Sequence, residues 1–79
     1  MDKKTIVDVR TPGEFSIGNV AGSINIPLQE IQQRLDEIKN LPKPILLCCA
    51  SGGRSSMATS FLQSNGIECS NAGSWFNLL

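Results

Sequence analysis

Residues 45–56 constrain this chain more strongly than any other segment, because they follow the pattern of a strand, a tight loop and a helix start. Residues 45–48 are continuously apolar, which is typical of a strand buried on both faces of a parallel sheet. Gly52 and Gly53 then lie in a short loop, and a helical pattern follows from Ser55. Because such a loop and the helix N-terminus present backbone N–H groups, the segment predicts an anion-binding site at the carboxyl end of a strand.

The rest of the chain alternates between short strand patterns and helical patterns. The strand patterns are short runs rich in apolar or β-branched residues, and they lie at residues 5–9, 23–26 and 67–69. The helical patterns lie at residues 11–18, 28–39, 55–65 and, as a terminal turn, 74–79. This alternation predicts one α/β domain over residues 1–79, with a small parallel sheet of four or five strands and helices on both faces.

Two helix boundaries are marked by specific residues. Thr11 is followed by Pro12 and Glu14, which is the pattern of a capping box with proline in the first helical position. Asn65 and Gly66 end the helical pattern that follows the loop, since glycine adopts the left-handed conformation common after a helix.

The charge balance and the absence of histidine exclude several functions. The chain has 7 Lys and Arg against 7 Asp and Glu, so neither nucleic acid nor an anionic membrane is an expected partner. Histidine is the commonest metal ligand and general base, and the chain has none. The three cysteines, Cys48, Cys49 and Cys69, form neither a disulfide framework nor a zinc-binding pattern. We therefore expect no bound metal and no cysteine–histidine protease chemistry.

No targeting or membrane-spanning segment is expected. The first four residues include two lysines, but no long apolar stretch follows them as in a secretory signal. The longest apolar run, residues 45–50, is far too short to cross a bilayer. Free cysteines are typical of reducing compartments, so we expect a cytoplasmic protein.

Cys49 is the candidate nucleophile of the predicted loop. Convergent N–H groups and the positive charge of Arg54 favour a thiolate and hold an anion above it. Ser55 or Ser56 is the expected N-cap of the following helix. The alternative is a buried structural cysteine before an ordinary turn, an interpretation that suits Cys48 because it completes the apolar strand. The predicted anion-binding loop consists of Ala50, Ser51, Gly52, Gly53, Arg54 and Ser55.

Three segments of the chain resemble the rhodanese family. Residues 49–55, Cys-Ala-Ser-Gly-Gly-Arg-Ser, match its active loop Cys-x-x-Gly-x-Arg-Ser. Residues 7–27 resemble its Asp-Val-Arg…Glu-Phe…Gly-His-Ile-x-Gly-Ala-x-Asn-Ile-Pro block, with Asn19 in place of histidine. Residues 71–75 resemble its Gly-Gly…Trp segment, with Ser74 in place of the second glycine. The chain is similar to the short single-domain members, and the resemblance implies a sheet without the leading strand and helix of longer ones.

The resemblance implies sulfur transfer without a separate cofactor. The Cys49 thiolate would attack the outer sulfur of thiosulfate or of a persulfide donor, and would itself become a persulfide. Cyanide, a small thiol or a thiol protein would then accept the sulfur. Arg54 would either attract the anionic donor or bind carbonyl groups of the loop. Asp8 and Arg10 follow the family's strand motif, and they would either support the site or form a structural ion pair.

Two other functions are compatible with the sequence. Five residues separate Cys48 from Arg54, which is the spacing of the cysteine-phosphatase loop. Counted from Cys48, however, Ser51 stands where that loop has glycine, and no histidine precedes the cysteine. Asp8 or Glu14 would have to serve as the acid of such an enzyme. The domain could instead be a non-catalytic binding or sulfur-relay module, although inactive members of the family usually lack the loop cysteine.

Overall fold

Four parallel strands form one sheet within residues 4–79, the part of the chain that the computed structural model describes. The strands are β1 (Thr5–Asp8), β2 (Ile24–Asn25), β3 (Ile45–Cys49) and β4 (Cys69–Ser74). Their spatial order is β2-β1-β3-β4, so β1 and β3 form the centre of the sheet. The prediction of a small parallel sheet is confirmed, with four strands rather than five. Residues 1–3, on which the expectation about a secretory signal partly rests, lie outside the described residues.

Three α-helices and two 3₁₀ helices connect and follow these strands. The α-helices are α1 (Pro12–Ile17), α2 (Leu35–Lys39) and α3 (Gly53–Ser64), and the 3₁₀ helices span Leu28–Glu30 and Trp75–Leu78. The predicted capping box is present, since the Thr11 hydroxyl accepts from the Glu14 N–H and the Glu14 carboxylate accepts from the Thr11 N–H. Gly66 has a left-handed φ of +77° after α3, as predicted. No helix within residues 4–79 has the length and hydropathy needed to cross a membrane.

The single helix predicted at residues 28–39 is wrong, because the structure divides this segment into a 3₁₀ turn and the short helix α2. The Leu28 N–H donates to the Val9 carbonyl at 3.0 Å, which fixes the first turn against the end of β1. Arg34, with φ −104° and ψ 22°, then interrupts the α-helical backbone before α2 begins. The apolar periodicity still identified the inward side correctly, since Ile38 is fully buried.

The last strand lies further along the chain than the apolar residues predicted. The strand expected at residues 67–69 is wrong, since β4 begins at Cys69 and continues through small, mostly polar residues to Ser74. Ile67 is buried, but its N–H donates to the Leu62 carbonyl and so belongs to the end of α3. Backbone pairing with β3, rather than strand propensity, therefore defines β4.

A β-bulge interrupts the pairing of β3 with β4 near the carboxyl end of β3. Leu47 pairs with Asn71, whereas the next residue, Cys48, pairs with Gly73. Ala72 is thus the extra residue of the bulge, which bends the strand locally. This irregularity brings Asn71 and Gly73 beside the loop that follows β3.

The hydrophobic core lies on one face of the sheet, against α2 and α3. Side chains alternate along a strand, so Val7, Leu47 and Cys49 belong to the core whereas Asp8 and Cys48 point to the opposite face. The connecting segments and helices supply further fully buried residues to this core, namely Ile26, Ile38, Ala58 and Leu62. The two adjacent cysteines therefore lie in different environments.

Helix α1 contacts the opposite face of the sheet without burying any of its own residues. Arg10 makes the connection: its Nη2 donates to the Asp8 carboxylate at 2.7 Å and to the Gly18 carbonyl, just after α1, at 2.6 Å. Its Nη1 also donates to the Glu14 carbonyl at 3.4 Å. Helices thus lie on both faces, as predicted, and polar contacts help to hold α1, none of whose residues is fully buried.

We expect Leu62→Ala to lower the free energy of unfolding by about 2–5 kcal/mol, because it opens a cavity under α3 where Leu62 is fully buried. Met57→Ala, on the same helix at a side chain that is 64% exposed, should change it by no more than about 0.5 kcal/mol. Urea unfolding followed by circular dichroism measures both. Equal losses in the two variants would contradict the packing described here.

Candidate active site

The loop after β3 is shorter than the sequence predicted, because α3 begins at Gly53 and not at Ser55. Gly52 immediately precedes the helix with a left-handed φ of +105°, and no side chain caps the helix N-terminus. The prediction of a serine cap is therefore wrong, since Ser55 and Ser56 lie within the first turn of α3. The Ser55 hydroxyl lies instead between the Asn71 side chain, at 2.6 Å, and the sulfur of Cys49, the last residue of β3, at 3.4 Å.

The sulfur of Cys49 is surrounded by hydrogen-bond donors from this loop. The Gly52 N–H lies 3.0 Å from the sulfur, and the N–H and hydroxyl of Ser55 lie 3.5 Å and 3.4 Å from it. Cys49 is 1% exposed, so its sulfur lies at the base of the loop. The other loop residues, Ala50, Ser51 and Gly53, are exposed around it.

The environments of the two adjacent cysteines shift their pKa values in opposite directions. Burial raises the pKa of Cys49, but hydrogen bonds from Ser55, Gly52 and Ser51 outweigh burial and lower that pKa to about 7. Burial and the nearby Asp8 carboxylate raise the pKa of Cys48 to about 11. Near neutral pH, a substantial fraction of Cys49 is therefore thiolate, whereas Cys48 stays a thiol, so Cys49 is the candidate nucleophile.

Strand β4 packs against the loop, where Gly73 of β4 closely approaches Gly52. A Cβ atom added to Gly52 would lie 3.3 Å from the Cα of Gly73, and the positive φ of Gly52 would strain any larger residue. Gly73 also has a positive φ, +83°, directly after the bulge. The close approach and the two positive φ angles therefore favour glycine at both positions.

Asn71 is a residue of the site that the sequence interpretation missed. Its Oδ1 accepts from the Ser55 hydroxyl at 2.6 Å and from the Gly73 N–H at 2.9 Å. Its Nδ2 donates to the Gly52 carbonyl at 3.2 Å. Asn71 thus holds both the loop and the hydroxyl group beside Cys49; the resemblance at residues 71–75 covers this position but gave its side chain no role.

Arg54 forms a bidentate ion pair with Glu14, the capping-box residue of α1. Its Nη1 and Nη2 donate to the two carboxylate oxygens at 2.8 Å and 3.0 Å. The Arg54 guanidinium, followed by the Thr11 N–H, lowers the pKa of Glu14 to about 2. The sequence interpretation had offered the donor anion or the loop carbonyls as partners of Arg54, whereas in this structure the carboxylate occupies both terminal nitrogens.

Asp8 and Arg10 form a buried ion pair on the face of the sheet opposite Cys49. The Asp8 carboxylate accepts from Nε and Nη2 of Arg10, and the guanidinium lies 4.6 Å from the ring centre of Trp75. The carboxylate also accepts from the Arg10 backbone N–H. These contacts tie β1 to the chain terminus, so the structural alternative describes this pair better than a contact with the reacting sulfur.

The two departures from the family pattern have local structural partners. The Asn19 amide donates to the Phe15 carbonyl at 2.8 Å, beyond the end of α1. The Ser74 hydroxyl accepts from the Phe76 N–H at 3.2 Å and caps the last 3₁₀ helix. Among residues 4–79, no three His, Cys, Asp or Glu side chains lie close enough together to bind a metal ion.

The fold and the site together define a class of α/β domain in which a cysteine with a lowered pKa lies between a strand and a helix N-terminus. Comparison with known proteins identifies the family within this class. The family model described as the rhodanese-like domain matches residues 1–77. The chain belongs to the rhodanese-like domain family.

Several relatives of this chain are sulfurtransferases or rhodanese structures. The uncharacterized protein YqhL of Bacillus subtilis is 42% identical over 64 residues, which are 81% of this chain and 50% of that protein. The thiosulfate sulfurtransferase PspE of Escherichia coli is 32% identical over 69 residues, 85% of this chain and 66% of PspE. A solved rhodanese with anions from E. coli superimposes with a TM-score of 0.83 at 31% identity, covering 94% of this chain and 89% of that one. The chain therefore spans about half the length of YqhL but most of the solved rhodanese.

Alkylation by iodoacetamide should modify Cys49 with a pH midpoint near 7, because only the thiolate reacts. Cys48 points to the other face of the sheet and its pKa is about 11, so it should stay unmodified in the same experiment. Mass spectrometry with fragmentation locates the modified residue at each pH. Preferential labelling of Cys48, or a Cys49 midpoint above 9, would contradict the assignment of the nucleophile.

Proposed function

We propose that this domain is a thiosulfate sulfurtransferase that carries sulfane sulfur as a persulfide on Cys49. The observation that carries the proposal is the set of donors around the Cys49 sulfur, the Gly52 N–H at 3.0 Å foremost. Such donors stabilise a thiolate before the reaction and the terminal persulfide charge after it. Membership of the rhodanese-like family and the similarity to PspE support the same chemistry.

The first half-reaction forms the persulfide. The Cys49 thiolate attacks the outer sulfur of thiosulfate, and a new S–S bond forms as the original S–S bond breaks. Sulfite leaves with the electron pair of the broken bond. A persulfide donor would react in the same way, with a thiolate as the leaving group.

The second half-reaction returns Cys49 to the thiolate. Cyanide, a small thiol or a thiol protein attacks the outer sulfur of the persulfide and removes it, while the electron pair of the S–S bond returns to Cys49. The enzyme thus alternates between two covalent states, as expected of a ping-pong mechanism. No cofactor besides the cysteine takes part in this proposal.

We also propose a cytoplasmic location, because free cysteines are typical of a reducing compartment.

The phosphatase alternative is not favoured by the geometry around Cys48. That cysteine is fully buried, and burial and the Asp8 carboxylate raise its pKa to about 11. A phosphatase nucleophile needs the reverse, a thiolate with a lowered pKa that faces the donors of the loop. The donors of the loop surround the sulfur of Cys49 instead.

Incubation with thiosulfate should add the mass of one sulfur atom to the intact protein, at Cys49, and cyanide should then remove it as thiocyanate. Cys49→Ser should lose both the added mass and at least about 99% of thiocyanate formation, because the thiolate held by the loop donors is gone. Cys69→Ser is the matched control and should retain both, since burial raises the pKa of that half-buried thiol. Thiocyanate formation that survives Cys49→Ser would refute the mechanism, and a wild-type protein that never gains sulfur would favour the binding-module alternative.

Glu14→Gln should increase kcat/KM for thiosulfate about two- to five-fold, because it frees the Arg54 guanidinium and removes a negative charge that opposes a dianionic donor. Glu30→Gln removes a carboxylate paired with a different arginine, Arg34, and should leave kcat/KM unchanged. Steady-state rates at low ionic strength provide the comparison. A fall in kcat/KM for Glu14→Gln alone would instead mean that Glu14 holds Arg54 in its working position.

A further inference from the structure

The Ser55 hydroxyl has three acceptors within hydrogen-bond distance but only one proton to donate. Its Oγ lies 2.6 Å from Asn71 Oδ1, 3.2 Å from the Gly52 carbonyl oxygen and 3.4 Å from the Cys49 sulfur. The proton can serve one of these acceptors at a time. By distance, Asn71 is its partner in this structure.

The orientation of the Asn71 amide is fixed by its other two partners. Its Oδ1 accepts from the Gly73 N–H at 2.9 Å, and its Nδ2 donates to the Gly52 carbonyl at 3.2 Å. If the amide were flipped, its Nδ2 would face the Gly73 N–H, donor against donor, and its Oδ1 would face the Gly52 carbonyl, acceptor against acceptor. The atom facing Ser55 is therefore an oxygen, which can only accept a hydrogen bond.

The competition between Asn71 and Cys49 depends on the charge of the sulfur. While Cys49 is a thiol, the Ser55 hydroxyl donates to Asn71, and its oxygen is free to accept from the S–H group. Once Cys49 is a thiolate, the negative sulfur is the stronger acceptor, because hydrogen bonds to charged groups are stronger than those between neutral groups. Donation to the thiolate requires the hydroxyl to rotate and to give up its 2.6 Å bond to Asn71.

We propose that Asn71 is a positioning residue of the sulfur-transfer site, which withholds the Ser55 hydroxyl from the Cys49 sulfur until that sulfur bears a negative charge. The proposal rests on the function proposed above, since it gives Asn71 a role in preparing the same nucleophile. Its chemical consequence is a more basic thiolate than the loop would otherwise hold. A more basic thiolate is a better nucleophile toward sulfur at a given ionised fraction.

The charged groups around Cys49 leave this competition unaltered. The Arg54 guanidinium is paired with Glu14, and on the other face of the sheet Arg10 is paired with Asp8. Each pair has no net charge. The neighbouring thiol of Cys48 stays neutral, because burial raises its pKa to about 11. Substitutions at Asn71 and Ser55 remove none of these charges.

A double-mutant cycle on the pH dependence of Cys49 alkylation tests the proposal. The four proteins are the wild type, Asn71→Ala, Ser55→Ala and the double variant, with the Cys49 midpoint located as above. We expect Asn71→Ala to lower the midpoint by about 0.5–1 pH unit, because the hydroxyl is then free to stabilise the thiolate. Ser55→Ala should raise it, and Asn71→Ala should have no effect once Ser55 is alanine.

Two further variants make every outcome of the cycle decisive. Asn71→Asp keeps an acceptor for Ser55 and adds a negative charge, so it should raise the midpoint where Asn71→Ala lowers it. Asn40→Ala removes a similar exposed amide, bonded to the Asp36 carbonyl of α2, and should leave the midpoint unchanged. A rise with Asn71→Ala, or the same shift with and without the Ser55 hydroxyl, would overturn the proposal and assign Asn71 to loop structure alone.

Alkylation requires no sulfur donor, so this test and the test of sulfur transfer fail separately. A protein that never forms a persulfide would refute the proposed function while the coupling between Asn71 and Ser55 could still be measured. A protein that transfers sulfur through Cys49 but lacks the coupling would refute only the role given to Asn71.

Discussion

The hydrogen bonds that the loop backbone donates to the Cys49 sulfur are the interaction on which the rest of this site depends. They require the chain to turn within three residues of the end of β3, and only the left-handed conformation of Gly52 allows this turn before α3 begins. They also require the loop to lie against β4, where Gly73 leaves room for it. The loop conformation around the Cys49 sulfur thus depends on Gly52 and Gly73, which provide backbone geometry and no reactive group.

The alternation of side chains along β3 gives two adjacent cysteines opposite chemistry. Cys48 and Cys49 differ by one position, yet one pairs across the sheet with Asp8 and the other contacts the helix N-terminus. Residue type does not distinguish them, and neither does exposure, because both are fully or almost fully buried. Burial raises the pKa of both thiols, and only the donors of the loop reverse its effect at Cys49. Hydrogen bonding to the charged form, and not exposure, therefore selects the nucleophile.

Local patterns predicted the parts of this structure that depend on neighbouring residues. The apolar run of β3, the capping box at Thr11 and the loop with its cysteine were all visible in the sequence. The polar contacts across the site were not, because they join distant segments: Glu14 and Arg54 are 40 positions apart, and Ser55 and Asn71 are 16. β4 was misplaced for the same reason, since its strand character comes from pairing with β3 and not from its own small residues.

Helix α1 links the stability of the domain to the electrostatics of the site. It buries no residue of its own, so its position depends on Arg10, which binds carbonyls at its end, and on Glu14, which binds Arg54. Arg54 is therefore engaged in holding a helix as well as in placing positive charge near the loop. In the proposed reaction, an anionic donor would meet a guanidinium whose charge the Glu14 carboxylate already balances, although this ion pair leaves the Nε–H and one N–H on each terminal nitrogen to donate. Under the proposed function, donor binding and the attachment of α1 would therefore draw on the charge of the same guanidinium.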